Sequence, residues 1–441
     1  CRFSRLFIPA VGGVYNATSL LSEWWVSVMK RVVVTGMGCL TAFGDNWQNF
    51  RQQLEAGRNA VVTMPEWERF EGLNTRLAAP IQPPFKKPKH YSRKAVRSMS
   101  TVSLMATRAT EMALEDAGLL NDDCITDGRC GVAYGSSTGD TEQMKIFGNM
   151  LSTGDMTGLN ATTYIKSMGH TTAVNLGVFY GVKGRVHTTS SACTSASQGL
   201  GYAYEAIRYG HQKVMIAGGA EALCPSEAVV FDTLYATSTR NDEPEATPRP
   251  FDKNRDGLVI GEGAGTFILE ELDHALERGA PIYAELVGFG TNSDGAHVTQ
   301  PTAETMAVAM KLALEQAQLS PDAIGYVNAH GTATDRGDVA ESNATASVFN
   351  RAVPISSLKS YLGHTLGACG TIEAWASIEM MKDQWFAPTV NLSDVDEECG
   401  KLDYIVGKGR KLNTDYVMTN NFAFGGINTS LIFKRWNNSN K

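Results

Sequence analysis

Residues 185–205 read RVHTTSSACTSASQGLGYAYE, a β-branched run followed by small residues and then by a helical pattern. This order places Cys193 at the turn between a predicted strand and a predicted helix. The free N–H groups and the dipole at the start of a helix favour a thiolate, so we expect a lowered pKa for the Cys193 thiol. The small neighbours leave space for a substrate carbonyl. Two interpretations stay open from this stretch alone, a nucleophile and a buried structural cysteine.

The same order of strand, turn and helix recurs on both sides of this stretch. Short β-branched runs alternate with amphipathic patterns such as those over 102–117 and 306–317. Such alternation predicts an α/β fold with a largely parallel sheet covered by helices, and a ligand site at the carboxyl ends of the strands. Strands are expected near 31–35, 131–134, 186–189, 213–217, 266–270, 282–287, 324–329, 353–356, 417–420 and 430–434.

The chain of 441 residues is long enough for a large duplicated architecture. Each half opens with a strand that leads into a glycine-containing turn, VVVTGMG from residue 32 and ELVGFGTNSDG from residue 285. We expect an N-terminal half over 29–280 and a C-terminal half over 281–436. Residues 1–28 are interpreted as a leader or an upstream extension outside the native fold, because Met29 stands just before the first predicted strand.

The composition excludes several classes of protein. With 39 basic and 46 acidic residues the net charge is −7, which is not that of a protein that binds nucleic acid or an anionic membrane. No apolar run reaches the roughly 20 residues of a membrane span. The eight cysteines show no CxxC spacing, so neither a disulfide framework nor a zinc site is indicated, and a reducing cytoplasm is favoured.

Two further motifs place histidines after predicted strands. His330 follows a buried-type strand in YVNAHGTATDRGD, residues 326–338. Lys359 and His364 stand five residues apart in SSLKSYLGH, residues 356–364. A histidine at the carboxyl end of a strand is well placed for chemistry, yet either one alone is as compatible with a structural role. The absence of an HExxH sequence again argues against a metal site.

A glycine-containing loop between two strands carries a pair of aromatic residues. It reads NNFAFGGIN, with Phe422 and Phe424 ahead of two glycines that permit hinge motion. An ordinary strand connection with core-packed aromatics is the alternative. A second glycine-rich stretch, GEGAG from residue 261, precedes a strand instead of opening a helix, so it does not indicate nucleotide binding. We therefore expect no cofactor and no metal.

Taken together, SSACTSA, NAHGTATDRGD, LKSYLGH and FAFGGIN resemble, in this order, the motifs of the elongating β-ketoacyl-acyl-carrier-protein synthases of type II fatty acid and polyketide pathways. The resemblance covers Met29 to about Arg435. It implies a thiolase-like five-layer αβαβα fold of two similar halves, which is usually dimeric. It also implies an acyltransferase that extends a cysteine-bound acyl chain by two carbons, through decarboxylative Claisen condensation with malonyl-loaded acyl carrier protein.

The resemblance gives Cys193 and the two histidines their roles. Cys193 holds the acyl chain, and the backbone N–H groups of Cys193 and Phe424 form the oxyanion hole. His330 and His364 hydrogen-bond the malonyl thioester carbonyl and stabilise the enolate that decarboxylation leaves. Phe424 gates the acyl pocket, with Phe422 packed beside it.

Supporting residues follow from the same resemblance. Lys359 and Glu341 are expected to form a charged pair that orients the histidines, with Asp338 as a further support, although a purely structural salt bridge is the alternative. Ser103 and Phe231 fall at acyl-channel positions.

The carrier protein is acidic, and the basic run 86–97 contains the family-like docking residues Lys94 and Arg97. Asn160 and Tyr235 are neutral where the family is often basic. The expected partners are therefore acyl carrier protein and either a second copy of the chain or a chain-length-factor homologue, with neither nucleic acid nor a membrane span.

Five departures from the family pattern, expected around the active-site entrance, favour a specialised acyl substrate. They are Leu358, Tyr361, Leu362, Ala423 and Ile427. The alternative function is accordingly a ketosynthase of a specialised type II polyketide or aryl polyene pathway, acting with a chain-length-factor subunit. A thiolase is a more distant alternative, because it would need a second catalytic cysteine and Cys369 is the only nearby candidate.

Overall fold

The computed structural model describes residues 29–437, so the expected leader 1–28 lies outside the described residues. The strands are β1 (Val32–Leu40), β2 (Val62–Thr63), β3 (Leu77–Ala79), β4 (Cys130–Gly135), β5 (Val186–Thr188), β6 (Val214–Glu221), β7 (Ile260–Gly261), β8 (Gly263–Glu271), β9 (Ala284–Ser293), β10 (Tyr326–Asn328), β11 (Pro354–Ser356), β12 (Trp385–Phe386), β13 (Asp403–Tyr404), β14 (Arg410–Lys411), β15 (Tyr416–Ala423) and β16 (Ile427–Arg435). The α-helices are α1 (Trp47–Glu55), α2 (Thr101–Asp116), α3 (Asp123–Thr126), α4 (Thr141–Thr153), α5 (Ala161–Ser167), α6 (Thr171–Tyr180), α7 (Ser195–Arg208), α8 (Pro225–Asp232), α9 (Leu272–Glu277), α10 (Ala303–Ala317), α11 (Asp335–Phe349), α12 (Lys359–Leu362) and α13 (Cys369–Asp383).

Eleven strands are hydrogen-bonded in the order β13-β11-β10-β15-β16-β9-β1-β8-β6-β4-β5. The outer pairs are parallel, whereas the five central pairs from β15 to β6 are antiparallel. The expectation of a largely parallel sheet is therefore wrong for the centre. One cause is the link between β15 and β16, which has only three residues and is too short for the crossover that a parallel pair requires.

The strand order repeats on both sides of the β1–β9 pair. Outward from β1 run β8, β6, β4 and β5, and outward from β9 run β16, β15, β10 and β11, with the same pair directions. Even a close backbone contact repeats. A Cβ at Gly36 would lie 2.2 Å from the carbonyl oxygen of Ala113, and one at Gly288 would lie 2.3 Å from that of Ala313. The expected fold of two similar halves is confirmed.

Helices form three layers around these strands. The central layer consists of α7 and α13, which contact each other and strands of both halves. On the outer faces, α2 and α6 cover the first half and α10 packs with α11 on the second. Because α13 lies between the halves, it is buried on every side down to Met381. The five layers αβαβα are thus present. Within residues 29–437 we find no helix that is both long enough and apolar enough to cross a bilayer.

Candidate active site

Cys193 lies in a short 3₁₀ turn, Ala192–Thr194, which leads directly into α7. Ala192 has a positive φ of 51°, a conformation that strains any residue with a Cβ. The turn buries the Cys193 side chain, which is 4% exposed, and brings Sγ to 2.9 Å from Nε2 of His364. Cys193 therefore occupies the predicted position between a strand and a helix.

Burial raises the pKa of the Cys193 thiol to about 11. The charge of Lys359 and hydrogen bonds from the backbone N–H groups of Phe424 and Cys193 lower it, but burial outweighs them. The expected lowered pKa is therefore wrong, because α7 begins in the interior and not at a solvated surface. Cys193 is a thiol at neutral pH. The two N–H groups are in place to stabilise negative charge as it develops during a reaction.

His330 and His364 face each other beside Cys193, with ring centroids 5.2 Å apart and ring planes at 88°. Nδ1 of His364 accepts the Leu366 N–H at 3.2 Å, and Nδ1 of His330 accepts a long hydrogen bond of 3.5 Å from Nδ2 of Asn421. Burial, together with the charge of Lys359, lowers the pKa of both rings well below 6.5. Both imidazoles are therefore neutral at pH 7. Since each Nδ1 accepts, each ring carries its proton on Nε2.

The sulfur of Cys193 and one nitrogen of each histidine lie within 4.8 Å of one another, a donor set that zinc also uses. A metal-bound histidine normally donates its second ring N–H to an acceptor. Here both Nδ1 atoms accept hydrogen bonds instead. The Nε2 atoms accordingly offer protons and not lone pairs, so the arrangement suits a carbonyl oxygen better than a cation.

A buried ion pair lies beneath the histidines. Lys359 Nζ is paired with Glu373, and both side chains are almost fully buried. Nδ2 of Asn421 donates to the other oxygen of Glu373 at 2.8 Å, which connects the pair to His330. The expected pair between Lys359 and Glu341 is therefore wrong. Glu373 projects from α13, the helix that follows His364, and its carboxylate occupies the position beside Lys359 Nζ.

Glu341 and Asp338 instead hold the backbone that follows β10. The Glu341 carboxylate accepts the N–H groups of His330 and Gly331, both at 2.7 Å. Asp338 accepts two N–H groups of the next turn, those of Thr332 and Ala333, at 3.0 and 3.1 Å. Burial raises the pKa of Glu341 to about 8 and that of Asp338 to about 6, against these hydrogen bonds. Both residues shape the loop that positions His330.

A cavity of about 530 Å³ opens onto Cys193, His330 and His364. Phe231 and Phe424 form part of its wall, with ring centroids 5.1 Å apart. Its other lining residues include Phe422, Ala423, Tyr235, Arg255, His297, Thr332 and Thr334.

Two groups of residues expected near the site lie elsewhere. Ser103 does not line this cavity, and its hydroxyl accepts a hydrogen bond from Nδ2 of Asn175 at 3.2 Å. Of the five departures from the family pattern, only Ala423 lines the cavity. Leu358, Tyr361 and Leu362 are buried in the main core, because the turn that carries Lys359 packs inward on both sides of it. The expectation that these departures surround the entrance is therefore wrong for all but Ala423.

Cys369, the candidate for a second catalytic cysteine, does not line the cavity that opens onto Cys193 and the histidines. Its Sγ donates to the backbone carbonyl oxygen of Cys193 at 3.2 Å. Burial raises its pKa well above 9.0. Cys369 thus stabilises the turn that carries Cys193, which disfavours the thiolase alternative.

Three residues of the site, Glu373, Asn421 and Leu366, are not among those predicted from the sequence. Asn421 directly precedes Phe422 in the stretch NNFAFGGIN, where the aromatic residues and glycines give the stronger signal. Glu373 offered a usable signal, since a carboxylate in an otherwise apolar helical stretch requires a buried partner. Leu366 acts through its backbone N–H and therefore leaves no side-chain signal.

Comparison with known proteins gives a consistent assignment. The family models "Beta-ketoacyl synthase, N-terminal domain" and "Beta-ketoacyl synthase, C-terminal domain" match residues 29–275 and 283–393. The 3-oxoacyl-[acyl-carrier-protein] synthase 2 of Vibrio cholerae is 39% identical over 417 residues, which cover 92% of this chain and 99% of that protein.

Two solved structures are also similar to the chain. The crystal structure of a beta-ketoacyl synthase from Burkholderia phymatum STM815 is 62% identical with a TM-score of 0.91, over 93% of this chain and 100% of that one. A ketosynthase bound to a type II polyketide acyl-carrier protein, AntDE:AntF, is 32% identical with a TM-score of 0.82, over 92% and 100%. This chain therefore belongs to the beta-ketoacyl synthase family and is an acyltransferase of the 3-oxoacyl-[acyl-carrier-protein] synthase type.

Proposed function

We propose that this chain condenses malonyl-loaded acyl carrier protein with an acyl chain held on Cys193, with loss of CO₂ and extension by two carbons. One observation carries the proposal. Two backbone N–H groups reach the sulfur of a buried thiol, and two neutral imidazoles lie beside it, each with one ring nitrogen within 4.8 Å of Sγ and of the other ring. The N–H groups suit a tetrahedral oxyanion, and the imidazoles suit an enolate oxygen.

In the first half-reaction, Cys193 Sγ attacks the thioester carbonyl of the acyl carrier. The carbonyl oxygen becomes an oxyanion that accepts hydrogen bonds from the backbone N–H groups of Cys193 and Phe424. When this intermediate collapses, the bond to the carrier sulfur breaks, and the carrier leaves as a thiol with the proton that Cys193 gave up. The acyl group stays on Sγ as a thioester.

In the second half-reaction, the malonyl thioester oxygen accepts hydrogen bonds from His330 and His364. The bond to the carboxylate breaks, CO₂ leaves, and the electron pair forms an enolate whose charge the two Nε2–H groups and nearby Lys359 stabilise. The enolate carbon attacks the acyl carbonyl on Cys193. The bond between the acyl carbon and Sγ then breaks, which releases the 3-oxoacyl carrier, and the Cys193 thiolate takes up one proton from solvent to regenerate the thiol.

Intact-mass spectrometry of the purified protein tests this function. We expect incubation with acyl carrier protein to add one acyl mass to the chain, and malonyl carrier protein then to remove it as a 3-oxoacyl carrier two carbons longer. A panel of saturated, unsaturated and aryl-bearing chains separates fatty acid elongation from a polyketide or aryl polyene pathway. Absence of both adduct and product across the panel contradicts the proposal. Native spectra of the same samples report the number of chains.

We also propose that the complex is a dimer, formed by two copies or with a chain-length-factor homologue. The edge of β5 has no partner strand within residues 29–437. Exposed apolar residues lie on β5 and on helices α5 and α6 before it, where an unpartnered strand edge favours association. They are Tyr164, Ile165, Val174, Val178 and Val186.

Two further proposals concern the chain as a whole. The division into halves over 29–280 and 281–436 is supported by the interval between the two family models, 276–282. A cytoplasmic location is supported by the seven cysteines within residues 29–437, each of which is a free thiol.

Lys94 and Arg97 are the proposed docking residues for acyl carrier protein. Both side chains are exposed. We expect Lys94→Glu with Arg97→Glu to weaken carrier binding by roughly tenfold or more, since opposite charges across the interface become like charges. Titration by fluorescence anisotropy at fixed ionic strength measures the change. The matched control is Lys401→Glu with Lys408→Glu, which alters net charge equally at two other exposed positions. Unchanged affinity for the first pair excludes it as the docking site.

A further inference from the structure

Glu221, the last residue of β6, is a buried carboxylate between the loop after β4 and the turn before α13. Its Oε1 accepts hydrogen bonds from the hydroxyl groups of Ser136 and Thr138 at 2.8 and 3.1 Å. Its Oε2 accepts the backbone N–H groups of Ser137 and Gly367 at 2.7 and 3.0 Å. One side chain therefore fixes the loop after β4 and the turn before α13 against each other.

Gly367 connects Glu221 to a catalytic histidine. It follows Leu366, whose N–H donates to Nδ1 of His364 and whose φ is positive, 46°. A Cβ at Gly367 would lie 2.7 Å from Oε2 of Glu221, so the carboxylate is in direct contact with this backbone. Two consecutive N–H groups thus point in different directions, one to His364 and the next to Glu221. Holding the second fixes the orientation of the first.

We propose that Glu221 is a positioning residue of this active site, which holds the Leu366–Gly367 peptide so that His364 keeps its proton on Nε2. The inference rests on the proposed function, in which His364 donates from Nε2. Without the Gly367 contact, the strained Leu366 turn can relax and its N–H can leave Nδ1. His364 is then free to adopt the other tautomer, in which Nε2 cannot donate.

A neighbouring carboxyl group provides an internal control. Glu227 is also buried, and its Oε1 lies 2.7 Å from the hydroxyl of Thr138, the same hydroxyl that bonds Glu221. Burial and the charge of Glu221 raise the pKa of Glu227 well above 4.5. A protonated Glu227 can donate a hydrogen bond to the Thr138 hydroxyl oxygen, while that hydroxyl donates its own hydrogen bond to Glu221. No hydrogen bond joins Glu227 to the Leu366–Gly367 turn among residues 29–437.

Two substitutions separate the reach of Glu221 from its charge. In Glu221→Gln, the amide oxygen can accept from Ser137 and Gly367, and the amide NH₂ can donate to the hydroxyls of Ser136 and Thr138. The 3.4 Å hydrogen bond from the Thr138 backbone N–H to Oε1 is lost, but it lies on the side away from Gly367. In Glu221→Asp the charge is kept, but the carboxylate is one methylene shorter and withdraws from Gly367. We expect the Gln variant to keep kcat within about threefold, and the Asp variant to lose roughly 100-fold in kcat with an unchanged KM for malonyl carrier protein. Glu227→Gln is expected to behave as the parent protein.

The ¹⁵N NMR shifts of the His364 ring, assigned with His364→Asn, report the tautomer independently of activity. We expect a proton on Nε2 in the parent and Gln proteins, and a mixture of tautomers in the Asp variant. An Asp variant with parental kcat and tautomer overturns the inference, as does a Gln variant that is the more impaired of the two, since charge would then matter instead of reach. If the parent protein fails to condense, the proposed function fails, while the NMR comparison still decides the effect of Glu221 on His364.

Discussion

Cys193→Ala is expected to abolish condensation while malonyl decarboxylation continues. The substitution removes the sulfur that accepts hydrogen bonds from the backbone N–H groups of Cys193 and Phe424, so no acyl thioester can form at this site. We expect the rate of elongation to fall by at least about 10⁴-fold. The histidines keep their Nδ1 hydrogen bonds, from Leu366 and Asn421, and so can still stabilise an enolate.

Release of labelled CO₂ and mass analysis of the carrier protein measure the two activities separately. Cys124→Ala is the matched control, because it removes a buried free thiol that packs in the core of the first half and does not line the cavity. We expect this control to elongate. Undiminished elongation by Cys193→Ala contradicts the mechanism, and loss of elongation in the control would show that removal of any buried thiol is enough to inactivate the protein.

Lys359→Met is expected to have the largest effect on stability. It leaves the Glu373 carboxylate buried, with the neutral side chains of Asn421 and Asn328 as its remaining hydrogen-bond partners. An uncompensated buried charge of this kind destabilises a protein by about 3–5 kcal/mol. Condensation is also expected to fall, because the positive charge of Lys359 acts on Cys193 and on both histidines.

A double-mutant cycle separates these two effects. Glu373→Gln removes the second charge, so we expect Lys359→Met with Glu373→Gln to regain most of the free energy of unfolding while condensation stays low. Urea denaturation followed by circular dichroism measures the first quantity, and initial rates measure the second. A single Lys359→Met variant within about 0.5 kcal/mol of the parent protein would show that the pair is not a stabilising unit.

The sequence predicts the reactive residues of the site better than it predicts their pKa values and ion-pair partners. The turn that follows each predicted strand made Cys193, His330 and His364 candidates, and the resemblance gave them their roles. In the strand order, β5 lies at the opposite end from β10 and β11, so the meeting of the three side chains depends on how the two halves pack. The partner of Lys359 was assigned wrongly, because Glu341 and Glu373 both follow the histidine motifs and only packing decides which of them faces the lysine. The predicted lowering of the Cys193 pKa is also wrong, since only the packing of the folded layers decides whether the first turn of a helix is buried or exposed to solvent.

The predictions of strand direction and of where the family departures lie are wrong for a related reason. The alternation of strands and helices is the same whether two halves join through parallel or antiparallel pairs, so the antiparallel centre around β1 and β9 could not be anticipated. Leu358, Tyr361 and Leu362 differ from the family beside Lys359 in the sequence, and this proximity led to the prediction that they lie at the entrance. In the fold they face the core, where the same differences affect packing.

The repeat of the two halves has a consequence for how many acyl groups one chain can hold. The turn before α7 and the turn before α13 are duplicates, each opening with a left-handed residue, Ala192 and Leu366. By this equivalence the counterpart of Cys193 is Gly367. A side chain at Gly367 would collide with Glu221, whose carboxylate fills the space that a sulfur would need. Of the two equivalent turns, only the first has room for a sulfur, so we expect no more than one acyl group to be held at this pair of positions.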